Sequence, residues 1–340
     1  MTRDASDNAV VEPAVSGKGR KYLLVLAKAA VTLAIVYWLV SSVNFGMVGR
    51  ILTQARHVYL LLSCLLLTAV FLIGCLRWRM LIGHLGLIIP MRQALPSYYL
   101  GMFFNNFLPT GVGGDLARTI HLKLHGHGIK PLISSALADR TIGLAVMLLL
   151  GGISLLLSPE LRLDPDRKLY LAGLIGLGLA GGVVLFWFSN RLPLDSLSRR
   201  YRHTRLRRGL IEIVHLLTTY RTALRQVFAA VLLSIVMQSL VIAAYYLLAR
   251  GIGIELSLIT FFAFVSMVQV AASLPISLGG LGVREGVLVA LLAGVGVDIQ
   301  LGVALSLLFL LTIWLCSLPG AIVMLLGRTR RGAQPAKQAS

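Results

Sequence analysis

The chain has 340 residues, of which 57% are apolar and only 13% are charged, whereas a soluble domain carries about 25% charged residues. This composition excludes an ordinary cytosolic enzyme. The formal net charge of +19 also lacks the broad polar surface on which a nucleic-acid-binding protein would carry it, so no nucleic-acid partner is expected. The three cysteines, Cys64, Cys75 and Cys316, lie in apolar runs without a CxxC pair, which argues against a disulfide framework and a structural zinc site.

The pattern of apolar runs predicts an all-α polytopic membrane protein. About 20 apolar residues are needed to cross about 30 Å of hydrocarbon, and six runs are predicted to span: 22–43, 58–79, 133–157, 169–188, 227–249 and 300–326. The polar region 1–21 and the absence of a cleavage site before Val43 predict that the first run stays as an anchor. Two shorter apolar stretches, Ala94–Leu108 and Leu258–Leu274, each end at a proline followed by a glycine pair. They predict two re-entrant broken-helix hairpins, at 94–127 and 258–297.

The distribution of arginine predicts the orientation. The connection 189–226 carries nine arginines and two acidic residues, which is typical of a cytoplasmic loop. Basic residues at 18–21 and in the tail 327–340 predict that both termini are also cytoplasmic, in a bacterial inner (plasma) membrane. Arg50 and Arg56 fall on the predicted outer side, against this rule. Region 196–226 is predicted to form an amphipathic helix that lies on anionic lipid, with a specific partner or a regulatory role as the alternative.

A repeated motif predicts an internal duplication. Leu108-Pro109-x-x-x-Gly113-Gly114-x-x-x-Arg118 recurs as Leu274-Pro275-x-x-x-Gly279-Gly280-x-x-x-Arg284, 166 residues later. The same offset relates spans in the two halves, which predicts a membrane repeat 1 at 22–157 and a membrane repeat 2 at 158–326. Because each unit has three crossings, the two are predicted to be inverted, with a binding region near the bilayer midplane.

The two motifs predict a site for an anion. Proline ends the incoming half-helix, the glycine pair lets the backbone approach a ligand, and the next half-helix presents free N–H groups. An arginine one turn later adds bidentate contacts to a phosphate. The alternative is that the motif only breaks the helix and that its arginines reach the membrane surface. The predicted substrate-binding residues are Arg118, Arg284, Gly113, Gly114, Gly279, Gly280, Asn105 and Asn106.

Acidic residues near these motifs predict a gate. Asp139 and Arg140 lie about eight residues into a span, some 10–12 Å deep, where charge is costly and by default functional. An ion pair that merely joins helices is the alternative. The predicted gating or proton-coupling residues are Asp115, Asp139, Arg140 and Glu285. The segment Arg77-Trp78-Arg79 is interpreted as an interface anchor. No cofactor, metal or catalytic residue is predicted, and the histidines at 121, 125 and 127 are interpreted as a polar hairpin edge.

Four ordered segments resemble a known family. They are Leu76-Arg77-Trp78-Arg79, the stretch from Asn105 to Arg118, Ala138-Asp139-Arg140-Thr141-Ile142-Gly143-Leu144, and the stretch from Pro275 to Glu285. Over residues 20–327 the sequence is similar to the flippase-like integral membrane family, of UPF0104 type, that is related to the transmembrane region of lysylphosphatidylglycerol synthase. In the bifunctional synthases lysyl transfer belongs to a separate cytoplasmic domain, which is not expected here. The resemblance therefore implies translocation rather than synthesis.

These features together predict a flippase-like lipid translocase. It would move an anionic phospholipid or a lipid-linked sugar phosphate between the leaflets of the inner membrane. Two other functions remain open at this stage. One is a membrane-embedded glycosyl or acyl transferase that uses Asp115 or Asp139 as a base. The other is a non-catalytic subunit of a lipid-modifying complex, with a lipid-synthesising enzyme as its partner.

Overall fold

Every regular element in the described part of the protein is a helix. The computed structural model describes residues 37, 41, 44–107, 113–161, 164–188, 218–274, 280 and 282–332. Its helices are α1 (Phe45–Gln54), α2 (His57–His84), α3 (Met91–Phe107), α4 (Gly113–Leu124), α5 (Ile129–Leu157), α6 (Pro165–Phe188), α7 (Leu224–Gly251), α8 (Leu258–Ser273), α9 (Val283–Gly294), α10 (Ile299–Ser317) and α11 (Pro319–Gly332). The prediction of an all-α polytopic membrane protein is confirmed.

Five segments are long and apolar enough to cross a membrane. They are α2, α5, the part of α6 from Asp166 to Val184, α7, and the stretch Ile299–Leu325 formed by α10 and α11. Five of the six predicted spans thus have a counterpart, and the run 22–43 lies outside the described residues except for positions 37 and 41. The predicted span 300–326 is divided into two helices, because Pro319 has no N–H to continue the backbone ladder and its ring clashes with the preceding turn.

The centre of the molecule is the pair α2 and α7, which run antiparallel. Near the start of α2, Ser63 Oγ donates to the carbonyl of Ala244 near the end of α7, at 3.2 Å. Near the end of α2, Arg77 contacts Ser234 near the start of α7. The two helices have the same length of 28 residues and correspond to each other in the two predicted repeats.

The first hairpin, α3 and α4, lies at the end of α2. Arg79 Nε donates to the carbonyl of Ile89 just before α3, at 2.8 Å. Ser97 near the start of α3 is within 2.7 Å of His121 near the end of α4, so the two helices run antiparallel. The hairpin therefore returns to the end of the bundle at which it enters.

The second hairpin, α8 and α9, lies at the opposite end of the α2–α7 pair. α8 starts shortly after α7 ends, and its residue Thr260 is hydrogen-bonded at 2.6 Å to Ser158, which follows α5. Val289 of α9 is buried in one cluster with Val303 of α10 and with Ile252, just after α7. The two hairpins consequently approach the bundle from opposite ends.

Glycines allow the first helix of each hairpin to pack closely on a helix of the other half. A Cβ at Gly151 of α5 would lie 2.8 Å from Cβ of Ser266 in α8, and one at Gly320 of α11 would lie 2.3 Å from the carbonyl oxygen of Tyr99 in α3. Such small-residue contacts replace hydrophobic driving force between helices in lipid. They fix the hairpins to the rest of the bundle.

Candidate functional site

Asp139 of α5 holds two buried arginines from different helices. Arg77 Nε, on α2, donates to Asp139 Oδ1 at 2.8 Å, and Arg118 Nη2, on α4, approaches Asp139 Oδ2 at 3.5 Å. Only 6% of Arg77, 4% of Arg118 and 6% of Asp139 is exposed. Arg77 also donates through Nη1 to Ser234 Oγ on α7, at 2.5 Å. These contacts join α2, α4, α5 and α7. They also supply the pairing and hydrogen bonds that buried charges require.

Asp115 extends this network toward the surface. It lies one turn before Arg118, whose Nη2 is 2.7 Å from Asp115 Oδ1, and its other oxygen accepts from Arg140 Nε. The side chain of Arg140 is 45% exposed and that of Asp115 is 18% exposed. Arg77, Asp139, Arg118, Asp115 and Arg140 thus form an alternating series, here called the arginine–aspartate chain, that leads from the buried interior to a half-exposed guanidinium.

Aromatic rings complete the surroundings of Arg118. Its guanidinium carbon is 4.4 Å from the ring centroid of Trp78 and 5.6 Å from that of Tyr98, at which distance a cation is attracted to the face of a ring. Trp78 is fixed in turn by a 3.2 Å hydrogen bond from its Nε1 to Ser135 Oγ. Arg118 Nε is buried and has no partner among the described residues. The guanidinium is therefore held in place and keeps one N–H available.

Gly114 brings α3 and α4 together beside Arg118. A Cβ at Gly114 would lie 2.3 Å from the carbonyl oxygen of Gly101, and one at Gly101 would lie 2.9 Å from the carbonyl oxygen of Gly114. Since backbone cannot yield as a flexible side chain does, neither position accepts a larger residue without moving a helix. Gly114 thus has a packing role in addition to the role in the anion site that the motif predicts. Gly113 is the first residue of α4.

The second motif has a different local structure. Gly280 and Gly282 have positive φ angles of 82° and 80°, a conformation that residues with a Cβ rarely adopt. Glu285 Oε2 accepts from the backbone N–H of Gly282 at 2.7 Å and so caps the start of α9. Gly279 lies outside the described residues.

The two motif arginines occupy different positions in their helices. Arg118 is the sixth residue of α4 and is buried, whereas Arg284 is the second residue of α9 and is partly exposed. Within the described ranges, no ion pair joins Arg284 to the arginine–aspartate chain. The tips 108–112 and 275–279 lie outside the described residues, so their meeting in one pocket stays a prediction.

The amides before the first tip differ in exposure. Asn105 is exposed, whereas Asn106 is partly buried and its Nδ2 has no partner in the described part of the chain. The buried Nε1 of Trp314 is likewise unpartnered there, and the Trp314 ring stacks on Phe107 at 5.1 Å between centroids. Donors without acceptors therefore lie close to the place where the first hairpin turns.

The interpretation of Arg77 as part of an interface anchor is wrong. The interface-anchor interpretation fails because α2 continues for seven residues beyond Arg77 and buries it, together with Trp78, against α5 and α7. The signal in the sequence was the apolar triplet Met80-Leu81-Ile82 after the arginines. Ser234 gave no such signal, since a serine within an apolar span is common.

Comparison with known proteins identifies a family of membrane proteins. The family described as lysylphosphatidylglycerol synthase TM region matches residues 25–320. The chain belongs to this family. It is 24% identical over 303 residues to a UPF0104 membrane protein of Methanothermobacter thermautotrophicus, which covers 81% of this chain and 87% of that protein. It is also 22% identical over 339 residues to a UPF0104 membrane protein of Pyrococcus horikoshii, covering 91% of this chain and 98% of that protein.

Proposed function

We propose that this membrane protein is a lipid translocase that moves an anionic phospholipid, or a lipid-linked sugar phosphate, between the two leaflets. The observation that carries the proposal is the arginine–aspartate chain within a bundle of apolar helices. Three guanidinium groups and two carboxylates leave a surplus of positive charge. In a medium of low polarity an anionic headgroup is the natural group to balance that surplus.

Arg118 is the centre of the proposed mechanism. It contacts both Asp115 and Asp139 and rests on the Trp78 ring. A phosphate that enters past the half-exposed Arg140 would take the place of Asp115 on both guanidiniums. Because Asp115 holds both Arg118 and Arg140, its displacement is the gating step of this exchange. Asp139 meanwhile keeps Arg77 paired, and the N–H groups at the start of α4 add donors to the phosphate.

The same proposal treats the two halves as an inverted repeat. The antiparallel packing of α2 on α7 and the approach of the hairpins from opposite ends support it. Arg284 and Glu285, at the start of α9, and the tip residues Gly279 and Gly280 then belong to the half of the path that faces the other leaflet. Alternating exposure of such a site is the usual working principle of transporters built from inverted repeats.

The location of the protein in the cell is part of this proposal. Both termini lie in the cytoplasm, and the membrane is the bacterial inner membrane. Region 196–226 rests on anionic lipid through its arginines. A lipid-synthesising enzyme supplies the substrate. Most of the basic connection lies outside the described residues, and its arginine content supports this orientation.

A flipping assay in vesicles tests the proposal. The protein is reconstituted with a fluorescent phosphatidylglycerol, and a reductant that does not cross the membrane quenches only the outer leaflet. We expect Arg118→Gln to slow exchange between leaflets at least about tenfold, because a hydrogen bond to a charged group contributes about 1.5–3 kcal/mol. Arg167→Gln serves as the control, since Arg167 is 75% exposed and, in the part of the chain that the structure describes, its ion pair is with the equally exposed Asp164. Equal rates for wild type and Arg118→Gln, with unchanged thermal unfolding, would overturn the proposal.

A further inference from the structure

A small cavity lies at the end of the bundle farthest from Arg77. It has a volume of about 160 Å³ and is lined by Arg56, Tyr59, Arg250, Gly251, Gly253, Ile254 and Glu255. These residues come from the start of α2 and from the end of α7 with the turn that follows it. Arg56 precedes Arg77 by 21 residues, which corresponds to about 31 Å along a helix. The cavity and the arginine–aspartate chain therefore lie toward opposite ends of the bundle.

The walls of the cavity are fixed by backbone contacts. The N–H of Arg56 donates to the carbonyl of Gly251 at 3.2 Å. A Cβ at Gly251 would lie 3.2 Å from Cβ of Tyr59, so the close approach of these residues depends on glycine. Gly253 has a φ of 86° and turns the chain back into the cavity wall, where Ile254 is buried. The cavity is thus built into the junction of α2 with α7.

The charged groups of the cavity suit a phosphate. Arg56, Arg250 and Glu255 are all exposed, and among the described residues none of them forms an ion pair with another side chain. Two guanidiniums and one carboxylate leave one positive charge. Arginine offers several N–H donors in a fixed plane and binds phosphate through two of them. The volume is well above the ~10–15 Å³ that a single water needs.

We propose that this cavity binds the phosphate of a phospholipid headgroup at the membrane face opposite to the first hairpin. The inference rests on the proposed translocase function, for which the cavity is the site where the headgroup is taken up or released. Arg56 and Arg250 contact the phosphate oxygens. Glu255 accepts from a donor on the same headgroup, such as a hydroxyl of glycerol. Glu255 therefore disfavours a bare phosphate monoester.

This assignment accounts for a feature of the charge distribution. Arginines are depleted on the outer side of a membrane protein by the rule that places positive charge inside, yet Arg56 and Arg250 share one cavity on the predicted outer side. An interface anchor needs only one basic side chain that reaches the headgroup layer. Two arginines and a carboxylate that line one cavity instead form a site with a definite charge pattern.

Native mass spectrometry of the full-length protein in detergent tests the inference. Phosphatidylglycerol and phosphatidic acid are titrated separately, and inorganic phosphate is added as a competitor in a third series. We expect the variant R56Q/R250Q to lose one tightly bound lipid. The dissociation constant for that lipid is expected to rise at least about tenfold, as when a hydrogen bond to a charged group is lost. R50Q is the matched control, since Arg50 is exposed in α1 but does not line the cavity. The control is expected to bind like wild type.

The remaining arms separate the sources of the phosphate group and the two proposals. E255Q is expected to strengthen the binding of phosphatidic acid more than that of phosphatidylglycerol, because only the glycerol headgroup loses a charged acceptor. Displacement of the lipid by inorganic phosphate at equal concentration would overturn the assignment to a lipid headgroup. Lipid binding by R56Q/R250Q equal to that of R50Q would overturn the site itself. Because Arg118→Gln is tested separately by lipid flipping, failure of the cavity does not coincide with failure of the translocase proposal.

Discussion

Asp139 is the residue on which the buried arginines depend. It lies between Arg77 and Arg118, and all three are at least nine-tenths buried. Removal of one partner from a buried ion pair leaves an uncompensated charge, which costs about 3–5 kcal/mol, whereas exposed pairs contribute little. Arg167 and Asp164 form an exposed ion pair that serves for comparison, since their side chains are 75% and 73% exposed.

We therefore expect Asp139→Asn to destabilise the folded protein by about 3–5 kcal/mol. The amide keeps the shape of the carboxylate but leaves Arg77 and Arg118 without their shared counter-charge. Asp164→Asn, the matched control, is expected to leave stability unchanged. Unfolding by dodecyl sulfate in mixed micelles, followed by far-ultraviolet circular dichroism, measures both variants. Coincident unfolding curves for the two would contradict the view that Asp139 neutralises the buried arginines.

The sequence predicted that Asp139 lies deep in an apolar span but not the identity of its partner. The depth of Asp139 in an apolar span follows from counting residues. Its pairing with Arg77 depends on how α2 and α5 are rotated about their axes, and the two residues are 62 positions apart. Arg118 was predicted from the repeated motif to bind an anion. Its contacts with Asp115, Asp139 and Trp78 became visible only in the packed bundle.

At the scale of elements, Glu160 joins the connection after α5 to the start of α8. Its carboxylate accepts from the backbone N–H and Oγ of Ser257, each at 2.9 Å, and from Oγ1 of Thr260. Burial would raise the pKa of Glu160, but the hydrogen bonds from Thr260 and Ser257 together lower the pKa below its ordinary value of 4.5. The ionised carboxylate therefore stabilises the entry of the second hairpin.

The depressed pKa sets the direction of a pH effect. A group whose pKa is lower in the folded state contributes its stability fully above the unfolded value, and loses it as pH falls through the folded value. We expect Glu160→Gln to lower the melting temperature in detergent at about pH 7, and the difference from wild type to narrow below about pH 4. Ser257→Ala keeps the carboxylate but removes its Oγ donor and the cap that Ser257 Oγ gives to the Thr260 N–H, so its difference from wild type narrows in the same range without disappearing. A difference that stays constant down to acid pH would refute the role of the ionised form.

At the scale of the whole molecule, the sequence predicted the spans better than their arrangement. Length and hydropathy determine which segments can cross a membrane, and α2, α5, α6 and α7 agree closely with the predicted runs. The packing of helices depends on individual contacts, such as Gly151 with Ser266 and Gly320 with Tyr99. The two residues of each pair are far apart in the chain, and no periodic pattern in the sequence indicates that they are in contact. The break before Pro319 did have a signal, the pair Pro319-Gly320, although the span 300–326 was predicted as continuous.

The orientation of the bundle is open to a direct test. α2 and α7 run antiparallel and the hairpins lie at opposite ends, so the exposed positions 53 and 159 belong to one membrane face and the exposed positions 125 and 222 to the other. Single cysteines are placed at each of these four positions in a protein whose native cysteines, at 64, 75 and 316, are replaced by serine.

A membrane-impermeant maleimide applied to intact cells is expected to label the cysteines at 53 and 159. Those at 125 and 222 should react only after permeabilisation, because the arginine-rich connection that ends near 222 is expected in the cytoplasm. Labelling of all four sites after permeabilisation is the control for exposure. Labelling of 125 together with 53 in intact cells would place the first hairpin on the same face as the connection between α1 and α2. In that case α2 would not cross the membrane as predicted, which would contradict both the inverted repeat and a site that alternates between leaflets.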